Sequence, residues 1–199
     1  MNNGLAFRLV LLALLAAFVA HRAYYTQTRG RSEVKVLAAR GRSATQTAAG
    51  LLNIVALLAS AVIIVYPPAL AWAALPMPTW LRWAGAGLAL AGFALLQWAH
   101  NALSRNWSDT PRLLKGQTLT RSGPYRWIRH PMYTAFLMIL SAPLFITANW
   151  LIGLAWIGAT ALEVASRVRF EEALLAETFG AEYQDYRRHT GRLLPRIQG

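Results

Sequence analysis

Ionisable and aromatic residues crowd into three short stretches of an otherwise apolar sequence. The first is Gly123-Pro124-Tyr125-Arg126-Trp127-Ile128-Arg129-His130-Pro131-Met132-Tyr133. Gly-Pro marks a turn. Pro131 suits the first position of a helix, where its missing N–H costs nothing, and this puts His130 at the N-cap. The free N–H groups and the dipole of such a first turn favour an anion. The same residue types also anchor a helix at a membrane interface. The second stretch holds Glu163, Arg167, Arg169, Glu171 and Glu172. Glu163, Arg167 and Glu171 are spaced i, i+4, i+8 and share one helix face. Arg169 and Glu172 fall on another face and read as an ordinary surface salt bridge. An acid as deep as Glu163 needs a partner, and Arg167 is placed to be one. The third stretch holds Gln97, His100, Asn101, Arg105, Asn106 and Trp107, where His100, at a helix end, reads first as a satisfied interface group.

Other chemistries are excluded or disfavoured. There is no cysteine, so disulfides, thiolate metal sites and thiol nucleophiles are absent. No His or carboxylate set stands at metal-ligand spacing, so no metal is expected. Gly85-x-Gly87 lies inside an apolar helix with no strand before it. It is therefore no dinucleotide fingerprint and reads as a small-residue helix-packing face.

The elements that must position these residues are membrane helices. Of the 199 residues, 56% are hydrophobic and 14% charged, too little charge to clothe a soluble globule and too much apolar surface for a disordered chain. Apolar segments run over Leu5–Ala20, Ala48–Tyr66 (ended by Pro67-Pro68), about Leu81–Ala99, Pro131–Thr147 and Trp150–Ala165. The last two are joined by Ala148-Asn149 as a helical hairpin. Leu5–Ala20 also resembles a signal-peptide core, but the strongly basic stretch after it favours a retained helix. Leu174–Tyr186 reads as an amphipathic tail helix, or two, broken at Gly180. The fold expected is all-α, with about five transmembrane helices and a cytoplasmic C-terminal helical tail. It forms a single membrane domain over 1–199, with scaffold helices over 4–100 and the chemistry-bearing half over 101–199.

The net charge of +12 would suggest nucleic acid in a soluble protein. Here the basic residues follow topology instead. All but Arg8 and Arg82 fall in Arg22–Arg42, Arg105–Arg129 and the tail from Arg167, which five spans place on one side. The positive-inside rule makes that side cytoplasmic, and no nucleic-acid partner is expected.

Leu119-Thr120-Arg121-Ser122-Gly123-Pro124-Tyr125 followed by Arg129-His130-Pro131-Met132-Tyr133 resembles the signature of the isoprenylcysteine carboxyl methyltransferase and phospholipid methyltransferase superfamily. Arg167-x-x-x-Glu171-Glu172, then Leu175, Phe179-Gly180, Tyr183, Tyr186, Arg192 and Pro195, is similar to that family's C-terminal pattern, and Arg105-Asn106-Trp107-Ser108 to the stretch before the signature in bacterial members. The resemblance covers about Arg105–Pro195. It implies an integral membrane enzyme, in a bacterial inner membrane, that takes S-adenosylmethionine from the cytosol and a small lipophilic acceptor from among the membrane lipids. It implies that Tyr125, His130, Pro131, Tyr133, Glu171 and Glu172 line the cofactor pocket. Arg167 and Glu171 would serve the reacting centre, and Arg105, Asn106 and Trp107 the acceptor side. A carboxylate, phenol or thiol acceptor is the reading preferred. A phospholipid amine is the alternative, and a non-catalytic membrane protein of the same architecture is the second.

Overall fold

The computed structural model describes residues 3–29, 44–103 and 118–196. Arg105, Asn106 and Trp107, and most of the first basic loop, lie outside the described residues. The order is α1 (Asn3–Arg29), α2 (Ala44–Val65), a 3-10 turn (Pro67–Ala73), α3 (Thr79–Leu103), a second 3-10 turn (Gly123–Arg126), α4 (Pro131–Thr147) and α5 (Trp150–His189). The chain is an all-α integral membrane protein. Four helices, α1, α2, α3 and α5, are long and apolar enough to cross a membrane, and α4 is an apolar helix of 17 residues.

α4 is short because it is the core. Ala135, Ile139, Ala142 and Ile146 have no exposed surface, and α4 packs against α3, α5 and α1. A helix apolar on all faces belongs inside. Leu51, Leu58, Leu90 and Leu154, by contrast, are largely exposed, as side chains turned to lipid would be. Small residues let α3 approach α4: a Cβ on Gly85 would stand 2.4 Å from the Phe145 Cβ, and one on Gly92 2.7 Å from Ile139. Gly87 has nothing within 4 Å, so the packing face is Gly85 with Gly92, not Gly85 with Gly87.

Both uncharged connections meet at one end of the bundle. The Leu75 N–H donates to the Ala148 carbonyl at 2.7 Å, and the Asn149 side chain donates to the Leu70 carbonyl at 3.0 Å. Asn149 also caps α5 by accepting from the Ile152 N–H. Ala148 takes the left-handed conformation that ends α4 (φ 50°). The two arginines outside the basic segments work at this end. Arg82 donates twice to the Ile146 carbonyl (3.1 and 2.7 Å) and Arg8 once to the Ile64 carbonyl (3.0 Å), each a cation on a helix C-terminus.

α5 corrects the expected ends. The apolar segment runs on into the amphipathic tail without a break as far as Gly180, about 45 Å and well beyond a bilayer core, and a short second helix follows the kink there. The apolar part ends near Ala165, and Glu171 and Glu172 stand beyond it. Gly180 breaks the helical geometry with φ 49°, ψ −121°, as its sequence position suggests. After Thr190 the chain turns back as a short strap that bends at residues 192–194.

Candidate active site

The strap closes the site against the start of α4. Ile128 and Gly191 form an isolated parallel bridge. Arg129 N–H donates to the Gly191 carbonyl (2.8 Å), His130 N–H to the Arg192 carbonyl (3.1 Å) and Thr134 Oγ1 to the Leu193 carbonyl (2.5 Å). Tyr186 Oη donates to the Tyr125 carbonyl at 2.6 Å, tying the tail of α5 to the Gly-Pro turn. The strap thus holds the backbone of residues 127–134, and α5 holds the Tyr125 carbonyl just before it.

His130 is the N-cap of α4 with Pro131 at the first position, as the sequence indicates, but its side chain makes no cap hydrogen bond. It points instead to the acidic pair, with Nδ1 3.5 Å from Glu171 Oε2 and Nε2 3.4 Å from Glu172 Oε1. The first-turn donors are partly spent, since the Tyr133 and Thr134 N–H groups both turn back to the His130 carbonyl. That weakens the expected anion site at this helix start.

The two glutamates have different occupations. Glu172 is buried and accepts from Arg129 Nε (3.1 Å), Arg192 Nε (3.2 Å) and Arg192 Nη2. Arg129 also reaches the Thr190 and Arg187 carbonyls. Glu172 is therefore a latch between α5, the start of α4 and the strap, and its expected pairing with Arg169 on the surface is replaced by these partners. Glu171 is more open, with a quarter of its side chain exposed, and accepts from the Tyr133 hydroxyl. Arg167 lies within hydrogen-bonding reach of Tyr133. Glu163, farther into the bundle, accepts from Asn53 of α2 at 3.0 Å, a partner that spacing within one helix did not reveal.

Burial opposes charge at this site, and the ion pairs overcome it. Desolvation would raise the Glu172 carboxyl, but His130, Arg192 and Arg129 together hold it well below the usual carboxylate range. Desolvation would lower the His130 imidazole, but Glu171 and Glu172 raise it above 6.5. The Tyr125 phenol is pushed well above 10 by burial, with Glu171 adding to the effect. It stays neutral.

The signs set a pH window. Glu172, lowered in the fold, stabilises it above about 4.5, and that contribution fades as pH falls through its depressed value. His130, raised in the fold, stabilises it fully below about 6.5, and that contribution is lost as pH climbs through its raised value. Thermal stability in detergent should be greatest between about pH 4.5 and 6.5 and decline on the alkaline side. His130→Gln should flatten that decline, and an unchanged slope in the variant would remove His130 from the linkage.

Two buried polar atoms here lack hydrogen-bond partners: His130 Nε2, off the line to Glu172, and the hydroxyl of the wholly buried Tyr183. With the open side of Glu171, they offer a cationic, multiply hydrogen-bonding ligand complementary groups. Arg129, Arg192 and Tyr183 stood in the sequence motifs without assigned roles. The signal for the arginines was the acid beside them, which had to find partners once buried. A separate basic cavity of about 370 Å³, lined by Arg126, Trp127, His189 and Arg196, opens nearby.

The sequence profile of the Isoprenylcysteine carboxyl methyltransferase (ICMT) family matches residues 85–177. The chain is 29% identical over 130 residues to the protein-S-isoprenylcysteine O-methyltransferase of Rattus norvegicus, covering 64% of this chain and 46% of that one. It is 29% identical over 140 residues to methanethiol S-methyltransferase 2 of Bradyrhizobium diazoefficiens (63% and 53%). It is 41% identical over 71 residues to the methanethiol S-methyltransferase of Mycobacterium tuberculosis (36% and 28%). The chain spans about half the length of the first two relatives. Among solved structures, the eukaryotic intramembrane Ras methyltransferase ICMT superposes with a TM-score of 0.69 at 20% identity, over all of this chain and 70% of that one, which shows a shared fold. The matched region contains α4 whole, the Gly-Pro turn and the acidic pair, and over these residues the chain resembles the isoprenylcysteine carboxyl methyltransferase family.

Proposed function

We propose that this protein is an S-adenosylmethionine-dependent methyltransferase that methylates an O or S atom of a small lipophilic acceptor. The observation that supports it most is the meeting of His130, Tyr133 and Glu171 at the start of α4, inside the region that matches the family. The relatives named for methyl transfer to a prenylated cysteine or to methanethiol favour an oxygen or sulfur acceptor over a phospholipid amine. Five crossings, α4 included, put the described basic segments at one end, the uncharged turns at the other, and the site and C-terminus on the cytoplasmic side. The single membrane domain over 1–199 then presents its site at the bilayer surface, between cytosol and lipid.

When bound, S-adenosylmethionine supplies a methyl group on a sulfonium, ready for in-line displacement. The residues of this chain hold and orient. Glu171 offers negative charge toward the cation, and the Tyr133 hydroxyl fixes the direction of that carboxylate. Glu172 serves by holding Arg129, His130 and the strap in register, which makes it a positioning residue. Pro131 and Tyr125 wall the pocket, and their burial excludes water. Arg167, beside Tyr133, orients the acceptor or stabilises its anion. Arg105, Asn106 and Trp107 complete the acceptor side in this reading.

The test is transfer of labelled methyl from S-adenosylmethionine to amphiphilic probes in mixed micelles, with phosphatidylethanolamine beside them. Arg167→Ala should lower turnover on the thiol or phenol probe by about 100-fold while S-adenosylhomocysteine affinity stays within about threefold. Full activity in the variant would leave Arg167 a structural role only. Transfer to phosphatidylethanolamine alone would replace this reading with the N-methyltransferase one.

A further inference from the structure

A second polar cluster lies between α1 and α3; its α1 half lies outside the region that matches the family and its α3 half inside it. α1 contributes Phe18, His21 and Tyr25, spaced i, i+3, i+7 on one face, and α3 answers with Phe93, Gln97 and His100. The His21 ring stands 4.8 Å from Tyr25, 5.1 Å from His100 and 6.3 Å from Phe93, between ring centroids. His100, buried, places Nδ1 2.9 Å from the Leu96 carbonyl. Gln97 lies beside His21 but sends its amide N–H groups to the Tyr25 hydroxyl (2.8 Å) and to Asn101 (2.9 Å). Both ring nitrogens of His21 are buried and neither makes a hydrogen bond. An unsatisfied imidazole in an apolar bundle is costly, and such a residue in a membrane helix marks a site by default.

Its depth points to the reaction. Phe18 of α1 meets Phe136 of α4 edge to face at 5.8 Å, and the Arg22 guanidinium lies 5.6 Å from the same ring. The helices run in opposite directions, so three residues onward along α1 and three back along α4 give the same displacement, about 4.5 Å. His21 therefore stands level with Tyr133. Tyr133 lies 6.2 Å from Phe136 and packs against Val164 and Val168 of α5, where its hydroxyl holds Glu171, so Phe136 stands between the α1 cluster and the site.

We infer that His21 receives the acceptor: it accepts a hydrogen bond from a neutral, weakly acidic X–H head, a thiol or phenol, and takes its proton during methyl transfer. This deepens the methyltransferase reading and rests on it. The acceptor atom bonds the methyl carbon through a lone pair. The carbon–sulfonium bond breaks with its pair left on the donor sulfur. The X–H proton passes to a His21 nitrogen and the bonding pair stays on X. One positive charge leaves the sulfonium and one appears on the imidazole, so the charges balance. A carboxylate head, already ionised, has no proton to give and gains nothing from His21.

The experiment compares wild type with His21→Gln, using dodecanethiol, 4-nonylphenol and dodecanoic acid as probes and S-adenosylhomocysteine binding as an independent measure of a folded cofactor site. The variant should lose about 100-fold in kcat on the thiol and phenol, within the usual range for a general base, and lose the pH dependence of kcat/KM on them. S-Adenosylhomocysteine affinity should stay within twofold, and any rate on dodecanoic acid should be unchanged. Equal rates on all probes, an equal loss on all three, loss of S-adenosylhomocysteine binding in the variant, or a wild type that binds S-adenosylhomocysteine and methylates neither X–H probe would each overturn the inference. A wild type that does not bind S-adenosylhomocysteine would instead overturn the methyltransferase reading beneath it.

Discussion

Glu172→Ala should destabilise the protein by about 3 kcal/mol, the largest stability effect expected of any single side chain at the site. The carboxylate is nearly inaccessible and serves Arg129, Arg192 and His130 together. Removing one partner of a buried ion pair leaves the others charged and unpaired, which costs roughly 3–5 kcal/mol. The lower end applies because the Arg192 side chain is half exposed and can rehydrate. Arg129 is nine-tenths buried and cannot. The strap should loosen with it, because Arg129 also holds the Thr190 and Arg187 carbonyls. Denaturant or thermal melts in one detergent would read the loss, and limited proteolysis would find new cleavage between Thr190 and Arg196. A melt within about 0.5 kcal/mol of wild type would show that the latch contributes little.

Glu171→Ala should do the opposite: weaken S-adenosylhomocysteine binding by at least about tenfold, or 1.4 kcal/mol, while the unliganded protein melts nearly as before. Its side chain is a quarter exposed, so its removal leaves a wetter gap. The Tyr133 hydroxyl loses its acceptor, and water entering that gap can accept its hydrogen bond in place of Glu171. The contrast between adjacent glutamates is the informative part. A structural role for both predicts two falls in melting temperature. A cofactor role for both predicts two losses of affinity. The geometry predicts one of each, and retained affinity in Glu171→Ala would remove it from the cofactor site.

What the sequence revealed depends on how local each cause is. Pro131 fixes the start of α4 and places His130 at the cap, because proline restricts its own dihedral and its predecessor's. Pro67-Pro68 ends α2, and Ala148-Asn149 turns α4 into α5, for equally local reasons. The continuity of α5 was hidden because hydropathy falls sharply after Ala165, where the helix leaves the apolar layer without ending. The latch was hidden because Glu172 finds Arg129 at a separation of 43 residues and Arg192 at 20, and only folding brings them together. The Gly85–Gly92 face, seven residues apart, was missed in favour of the nearer Gly87, although helical geometry points residues two apart in different directions. His21 had no motif around it, and its interest lies in buried nitrogens that no sequence displays.

The most direct measurement is titration of S-adenosylhomocysteine into the purified wild-type protein in detergent, read by calorimetry and by thermal melting. The account predicts saturable one-site binding and, at about 100 times the dissociation constant, a stabilisation of roughly 2.7 kcal/mol. A protein that melts cooperatively yet shows neither heat nor stabilisation at millimolar ligand would contradict it, and the acidic pair with its strap would then be architecture without a cofactor.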